Sequence, residues 1–286
     1  DFDKKVKSLL SDCNRNLSEV NINDIRLSEE MLGLGGYAFV YKAHDSDGNA
    51  YAVKIFIPEE AEAEDVFDVH RNRKLEGEKI LENLAKHVRI LRQEPFVRPR
   101  TFFRSGGYVM DFFSGENLEI KIRNDRLFNA DRARVGMALL AYASMLQKLH
   151  SAGLFFVDNG WSSVLLGDGE AKICDYDFVS SEKDINRRNH FTRKILRQAY
   201  SSREQLLHDL PFTALSDLEG FSLMIDFLYV GSYLHHEINH DAARAVGNKF
   251  EYPGVRRDKL PESLRDVVAP MITYPRDKSI RARDFV

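Results

Sequence analysis

HSAGLFFVDNGWSSVLLGDGEAKICDYDFVS, residues 150–180, holds two short apolar runs, Val164–Leu166 and Ala171–Cys174, on either side of Gly167-Asp168-Gly169. Two such runs about a glycine-bearing turn predict a β-hairpin. A hairpin folds its open ends together. Asp158, shortly before the first run, and Asp175, directly after the second, are therefore expected in one neighbourhood, with Ser163 nearly opposite Asp175. Two carboxylates held on loops at that end suit a proton acceptor beside a metal ligand. The plain alternative is a surface hairpin with both carboxylates in water.

Upstream, Met31–Ala43 (MLGLGGYAFVYKA) and Asn49–Phe56 (NAYAVKIF) read as strands flanking a glycine-rich bend and a Ser46-Asp47-Gly48 turn. Glycines let backbone N–H groups approach phosphate oxygens, and Lys54 on the neighbouring strand offers a point charge to the same oxygens. Against this stands an ordinary glycine-rich hairpin turn with Lys54 reaching out to water. Residues 60–87 are charged and take on helical spacing at Leu75, Ile80, Leu81 and Leu84, and Glu76 falls on that inward stripe. Thr101–Arg104 and Gly107–Phe113 read as further strands, and Ser114-Gly115 as a boundary.

The second half is expected to be helical. Val135, Leu139, Tyr142, Leu146 and Leu149 form one apolar face. Ser216-Asp-Leu-Glu219 has the capping-box pattern, and Leu218–Val230 is apolar almost all round, as in a helix at the centre of a domain. Residues 180–199 are polar and basic, fit for a solvated loop or a negatively charged partner. Leu260–Val268 opens a last helix near Pro261. Cys174 is expected to pack as a small apolar residue rather than a reactive thiol. Trp161 has two open destinations, packing between elements or contact with a substrate.

The chain has 286 residues, 43% of them hydrophobic and 30% charged. Such a composition fits a soluble globular protein with a sizeable core. A net charge of −3 gives no overall attraction to nucleic acid or anionic membrane. No apolar run approaches the roughly 20 residues of a membrane span. With only Cys13 and Cys174, a disulfide framework and a cysteine-rich zinc site are excluded, and a reducing, cytoplasmic compartment is expected. No signal peptide is expected, and residues 1–26 read as a short helix and linker.

In this order the features resemble the protein kinase family, from about Ile25 to Phe285. The match runs through the glycine-rich loop Gly33–Val40, Ala52-Val53-Lys54, a glutamate-bearing helix and a hinge at Met110–Phe113. It continues through Leu149-His150, Asp158, Asp175 in the Asp-Phe-Gly position, Tyr200–Glu204, Ser216-Asp217 and Met271–Pro275. The resemblance implies an α+β, two-lobed fold. Residues 27–112 would form an N-lobe with an antiparallel sheet and one main helix, and 113–286 a mostly helical C-lobe. It implies ATP with Mg2+, Mn2+ being the alternative ion, and a protein substrate or partner. The backbone of Gly33, Gly35 and Gly36 through Ala38 would cover the phosphates. Lys54 would contact the α- and β-phosphates, held by Glu76 or, alternatively, Glu78. Leu32, Val40, Ala52, Met110 and Leu165 would enclose the adenine, and hinge backbone at Asp111–Phe113 would hydrogen-bond it. Asp158 would accept the substrate proton and Asp175 would bind the metal.

The departures from that pattern are specific. Phe156-Val157 stand in place of His-Arg, Gly160 in place of a lysine, and Ser163 in place of the asparagine that holds a second ion. A serine hydroxyl is a shorter, poorer ligand, and Asp177, in place of a glycine, could supply the missing oxygen. Ala38 replaces the third loop glycine, Arg203 a proline, and Lys278 the arginine that pairs with Glu204. The leading expectation is a serine/threonine-directed kinase with an atypical metal site. The alternative is a pseudokinase acting as a nucleotide-binding or scaffolding module. A small-molecule phosphotransferase ranks third.

Overall fold

The computed structural model describes residues 24–35, 37–56, 77–103, 106–125, 132–186, 200–202, 204–205, 211–230 and 260–273. They fall into two compact units, divided between Ser114 and Gly115.

The first unit is a five-stranded antiparallel sheet. Its strands are β1 (Arg26–Leu34), β2 (Ala38–His44), β3 (Ala50–Phe56), β4 (Pro99–Phe103) and β5 (Gly107–Asp111), in the order β1-β2-β3-β5-β4. Alternation sorts β3 into two faces. Val53 and Ile55 join Ile25, Ala43, Phe103 and Val109 in the core, with Leu27, Tyr41 and Tyr51 packed against it. Ala52 and Lys54 take the opposite face. Helix α1 (Gly77–Leu91) packs on β4 and buries Ile80, Leu81, Leu84 and Leu91 at helical spacing. The expected strand Thr101–Arg104 begins earlier, at Pro99, and β5 ends at Asp111 rather than Phe113.

The β2–β3 turn is organised by Asp45. Its carboxylate accepts from the backbone N–H of Asp47 (3.0 Å) and Asn49 (2.8 Å), the Asn49 amide (2.8 Å) and the Tyr51 hydroxyl (3.0 Å). These bonds, led by that from the Asn49 side chain, hold the Asp45 carboxyl below its ordinary value.

The second unit is mostly helical. It contains β6 (Glu116–Asn117), α2 (Leu118–Asp125), α3 (Arg132–Ser151), β7 (Leu154–Phe155), β8 (Val164–Leu166), β9 (Ala171–Ile173), β10 (Ser180–Ser181), α4 (Glu182–Ile185), α5 (Ala214–Val230) and α6 (Glu262–Thr273). Helix α3 buries Val135, Tyr142, Leu146 and Leu149 as expected, while Leu139 is only half-buried. Helix α5 is buried from Ser216 to Leu228 and packs on α3 and α6. Its start differs from the capping-box expectation. The Ser216 hydroxyl reaches back to the N–H of Thr213 (3.0 Å), so Thr213 occupies the N-cap and Ser216 the third helical position. Glu219 is then buried inside the helix rather than closing its first turn.

The α+β expectation holds: an antiparallel sheet with one helix, then a largely helical unit. Glu76, Gly36, Arg203, Lys278, residues 187–199 and residues 274–286 lie outside the described residues, as do the side chain of Glu78 and residues 1–23. Among the described residues no helix is long and apolar enough to cross a membrane.

Candidate active site

The expected hairpin forms with its strands in the predicted places. Val164 pairs with Ile173 and Leu166 with Ala171, so Ser163 faces Cys174, one residue short of Asp175. The N–H of Cys174 donates to the carbonyl of Ser163 at 2.9 Å and extends the ladder by one step. A second pairing, Phe155 with Ser180 and Leu154 with Ser181, ties the chain before the hairpin to the chain after it. Loops 156–163 and 174–179 therefore span the same two strand pairings, which places Asp158 on one loop and Asp175 and Asp177 on the other. Neither Asp158, at 4% exposure, nor Asp177, at 0%, is a solvated surface carboxylate.

The loop before Asp158 is strained. Val157 has φ 72°, and the N–H of Asp158 donates to the carbonyl of Phe156 at 2.9 Å, which closes a γ-turn. A positive φ is costly for a β-branched residue and persists only where the surroundings impose it. Asp217, in the first turn of α5, imposes it. Its Oδ2 accepts from the Phe156 N–H (2.8 Å) and its Oδ1 from the Val157 N–H (2.9 Å). Oδ1 also accepts from the Asn159 amide (3.3 Å), and His150 Nε2 lies 3.0 Å from Oδ2. Asp175, on the facing loop, is a second non-glycine residue at positive φ (54°).

Packing beneath the loop is close. Asn159 accepts from the Tyr142 hydroxyl (2.8 Å), and Tyr142 stacks on Phe221 at 4.9 Å between centroids. A Cβ on Gly220 of α5 would lie 2.6 Å from Asn159 Nδ2 and 2.9 Å from the Tyr200 carbonyl oxygen, so only glycine admits this approach. Trp161 is fully buried. It meets Tyr142 and Phe221 edge-on, and its Nε1–H donates to the Met224 carbonyl (2.9 Å). Its destination is thus the interior of the second unit. Cys174 is half-buried, with Sγ 3.5 Å from the Ser163 carbonyl oxygen, so it packs less completely than a small apolar residue would.

In the first unit, Lys54 is buried, at 6% exposure, rather than reaching out to water. It stands opposite Val40 on β2 and Tyr108 on β5, and Ala52 stands opposite Lys42 and Met110. Directly paired residues share a face, so Val40, Ala52, Lys54 and Met110 line the face turned away from the core. Lys54 Nζ lies 5.2 Å from the centroid of Tyr37, whose ring stacks on Phe56 at 6.1 Å. At the glycine-rich bend, Gly33 pairs with Val40, and the Gly35 N–H donates to the Ala38 carbonyl at 2.8 Å. Leu32 is exposed on β1. At the end of β5, the Asp111 carboxylate is held by Arg100 through two nitrogens, and its N–H already donates to the Arg98 carbonyl (3.0 Å). Phe113 and, on β8 of the second unit, Leu165 are half-buried.

The side-chain oxygens of Ser163, Asp175 and Asp177 suit a hard cation. Ser163 Oγ is fully buried and has no hydrogen-bond partner among the described residues, an expensive state for a hydroxyl with no ligand to meet. The candidate metal set Asp175, Asp177 and Ser163 offers oxygens alone, the donor type that magnesium takes. Among the described residues no cluster of three or more His, Cys, Asp or Glu side chains could hold an ion by itself.

Asp217 and Asn159 were not among the predicted site residues. The Ser216-Asp217 pair was visible as a helix start, but nothing local marked its aspartate as the anchor of a loop about 60 residues upstream. A family model for the protein kinase domain matches residues 27–283. A search of curated proteins finds no match.

Proposed function

Because the chain belongs to the protein kinase family, we propose that it transfers the γ-phosphate of ATP to a protein hydroxyl, serine or threonine, in a reducing cytoplasmic setting. The observation that carries an active enzyme is the strained turn at Val157, held by Asp217 directly before Asp158. Strain of this kind clusters at active sites, where a side chain must be aimed. Asp158 would accept the proton of the acceptor hydroxyl. Lys54, buried on β3, would place its charge on the nucleotide phosphates, with Glu76 or Glu78 to orient it. Asp175, with Asp177 and Ser163, would hold a magnesium ion, which would supply positive charge against the phosphates. Val40, Ala52, Met110, Leu165 and Leu32 would enclose the base. The Asp111 N–H is engaged by Arg98, which leaves its carbonyl and the backbone of Phe113 to recognise the base edge.

One observation favours the pseudokinase reading. Tyr37 lies over Lys54, where a nucleotide phosphate would otherwise meet the cation. The two readings part in a transfer assay on the full chain with ATP, a generic protein substrate, and magnesium or manganese. Transfer that falls by roughly a hundredfold or more in Asp158→Asn supports the enzyme. Nucleotide binding with no transfer over long incubation leaves the binding module. Unchanged transfer in Asp158→Asn removes Asp158 from the role of base.

A further inference from the structure

We infer that Gln205 is a positioning residue for Asp158, and that it ties Ser202 to the turn that presents this carboxylate. Asp217 holds only one flank of the strained Val157, the peptide that carries its N–H. The carbonyl of Val157 belongs to the next peptide, which it shares with the Asp158 N–H, and is met by Gln205, whose Nε2 donates to it at 2.9 Å. The other end of the same amide accepts the Ser202 N–H at 2.9 Å. A backbone carbonyl can only accept and a backbone N–H can only donate, so the two partners fix which end of the amide is which. The Gln205 N–H in turn donates to the Ser202 carbonyl (3.1 Å). Gln205 is thus held by Ser202 through its own backbone and its side chain, and it is buried with Ser201, Ser202 and Glu204.

A strained residue whose two flanking peptides are both held cannot change its φ and ψ without breaking a buried hydrogen bond. With the Gln205 bond gone, the carbonyl of Val157 loses its partner, and the γ-turn can relax by rotating that peptide. Asp158 is the next residue, so its carboxylate moves with the rotation. A misplacement of this kind lowers turnover far more than nucleotide binding, because the base acts in the transfer step. The effect on turnover rests on the proposed kinase reading, whereas the clamp on the turn does not.

Two substitutions in the full chain test this. Gln205→Glu keeps the shape and the acceptor for Ser202 but sets a second oxygen against the Val157 carbonyl. Gln205→Met removes both bonds. Amide exchange by mass spectrometry is read over residues 156–159 and over α5 as a control, alongside kcat and the KM for ATP. In both variants, exchange at 156–159 is expected to rise at least about tenfold with α5 still protected. The kcat is expected to fall roughly tenfold to a hundredfold while KM shifts by less than about twofold. Wild-type exchange and wild-type kcat in Gln205→Glu overturn the inference. So does a rise in exchange shared equally by α5, which would make Gln205 a general support of the fold. If the wild-type protein transfers no phosphate, the kinase reading fails and the exchange arm alone decides the clamp: loss of protection confined to 156–159 upholds it, and unchanged protection ends it.

Discussion

Asp217 does the work of a hub with a single carboxylate. It satisfies two backbone N–H groups and a side-chain amide and meets an imidazole, all in a fully buried setting. Hydrogen bonds to an ionised group are the stronger kind, and their donors have no water to turn to. Asp217→Asn removes the charge and turns one acceptor into a donor facing other donors. It is expected to lower stability by about 2–4 kcal/mol in urea unfolding, with unchanged m-value. Ser163 poses the opposite case. Its hydroxyl is buried with no hydrogen-bond partner among the described residues, so Ser163→Ala removes a desolvated group and breaks no bond. The expected outcome is a fold as stable as the wild type or up to about 1 kcal/mol more stable, with weaker magnesium-dependent ATP binding by titration. Equal losses in stability and binding would mean that the hydroxyl serves the fold instead.

Secondary-structure elements show where local pattern suffices. The β8–β9 hairpin, the sheet strands and helix α5 stand within a few residues of their expected places, because alternation and turn chemistry act over neighbouring residues. The helix start at Thr213 shows the limit. Thr213 and Ser216 are both capping residues three apart, and the bond from the Thr213 N–H to the Ser216 hydroxyl marks the earlier one as the cap. The β2–β3 turn makes a prediction about pH. Asp45 has its carboxyl held below the ordinary aspartate value of about 3.9, so the stabilisation it supplies is complete above that value. It is lost as pH falls through the lowered, folded value. Amides of Asp47 and Asn49 should therefore lose protection in the wild type below about pH 4. The same amides in Asp45→Asn should be less protected at neutral pH and show no such acid-dependent loss. NMR-detected exchange against pH checks this.

Ligand linkage tests the chain as a unit. A nucleotide that binds only the folded protein raises stability by RT ln(1 + [L]/Kd), about 2.7 kcal/mol at a hundredfold excess over Kd. ATP with magnesium is expected to raise the melting temperature by several degrees, magnesium alone by little, and Lys54→Met to abolish most of the shift. A shift that survives Lys54→Met intact would place the nucleotide away from β3. The order of features that made the family recognisable was legible because each piece is short and local: a glycine turn, a lysine on an alternating strand, an acid beside a hairpin. The clamp on Asp158 was not legible, since Gln205 and Asp217 lie 48 and 60 residues beyond Val157 and share no periodicity with it.

Alternation, helical spacing and turn residues, read along the chain, were enough to establish a sheet followed by helices and to bring Asp158 and Asp175 to one end of one hairpin. Folding in three dimensions settled which acid became the buried anchor, why Val157 is strained, and where Trp161 and Lys54 reside. The reason is that a buried polar group must find its hydrogen-bond partner wherever the packed chain supplies one, and that partner need not be a neighbour in sequence.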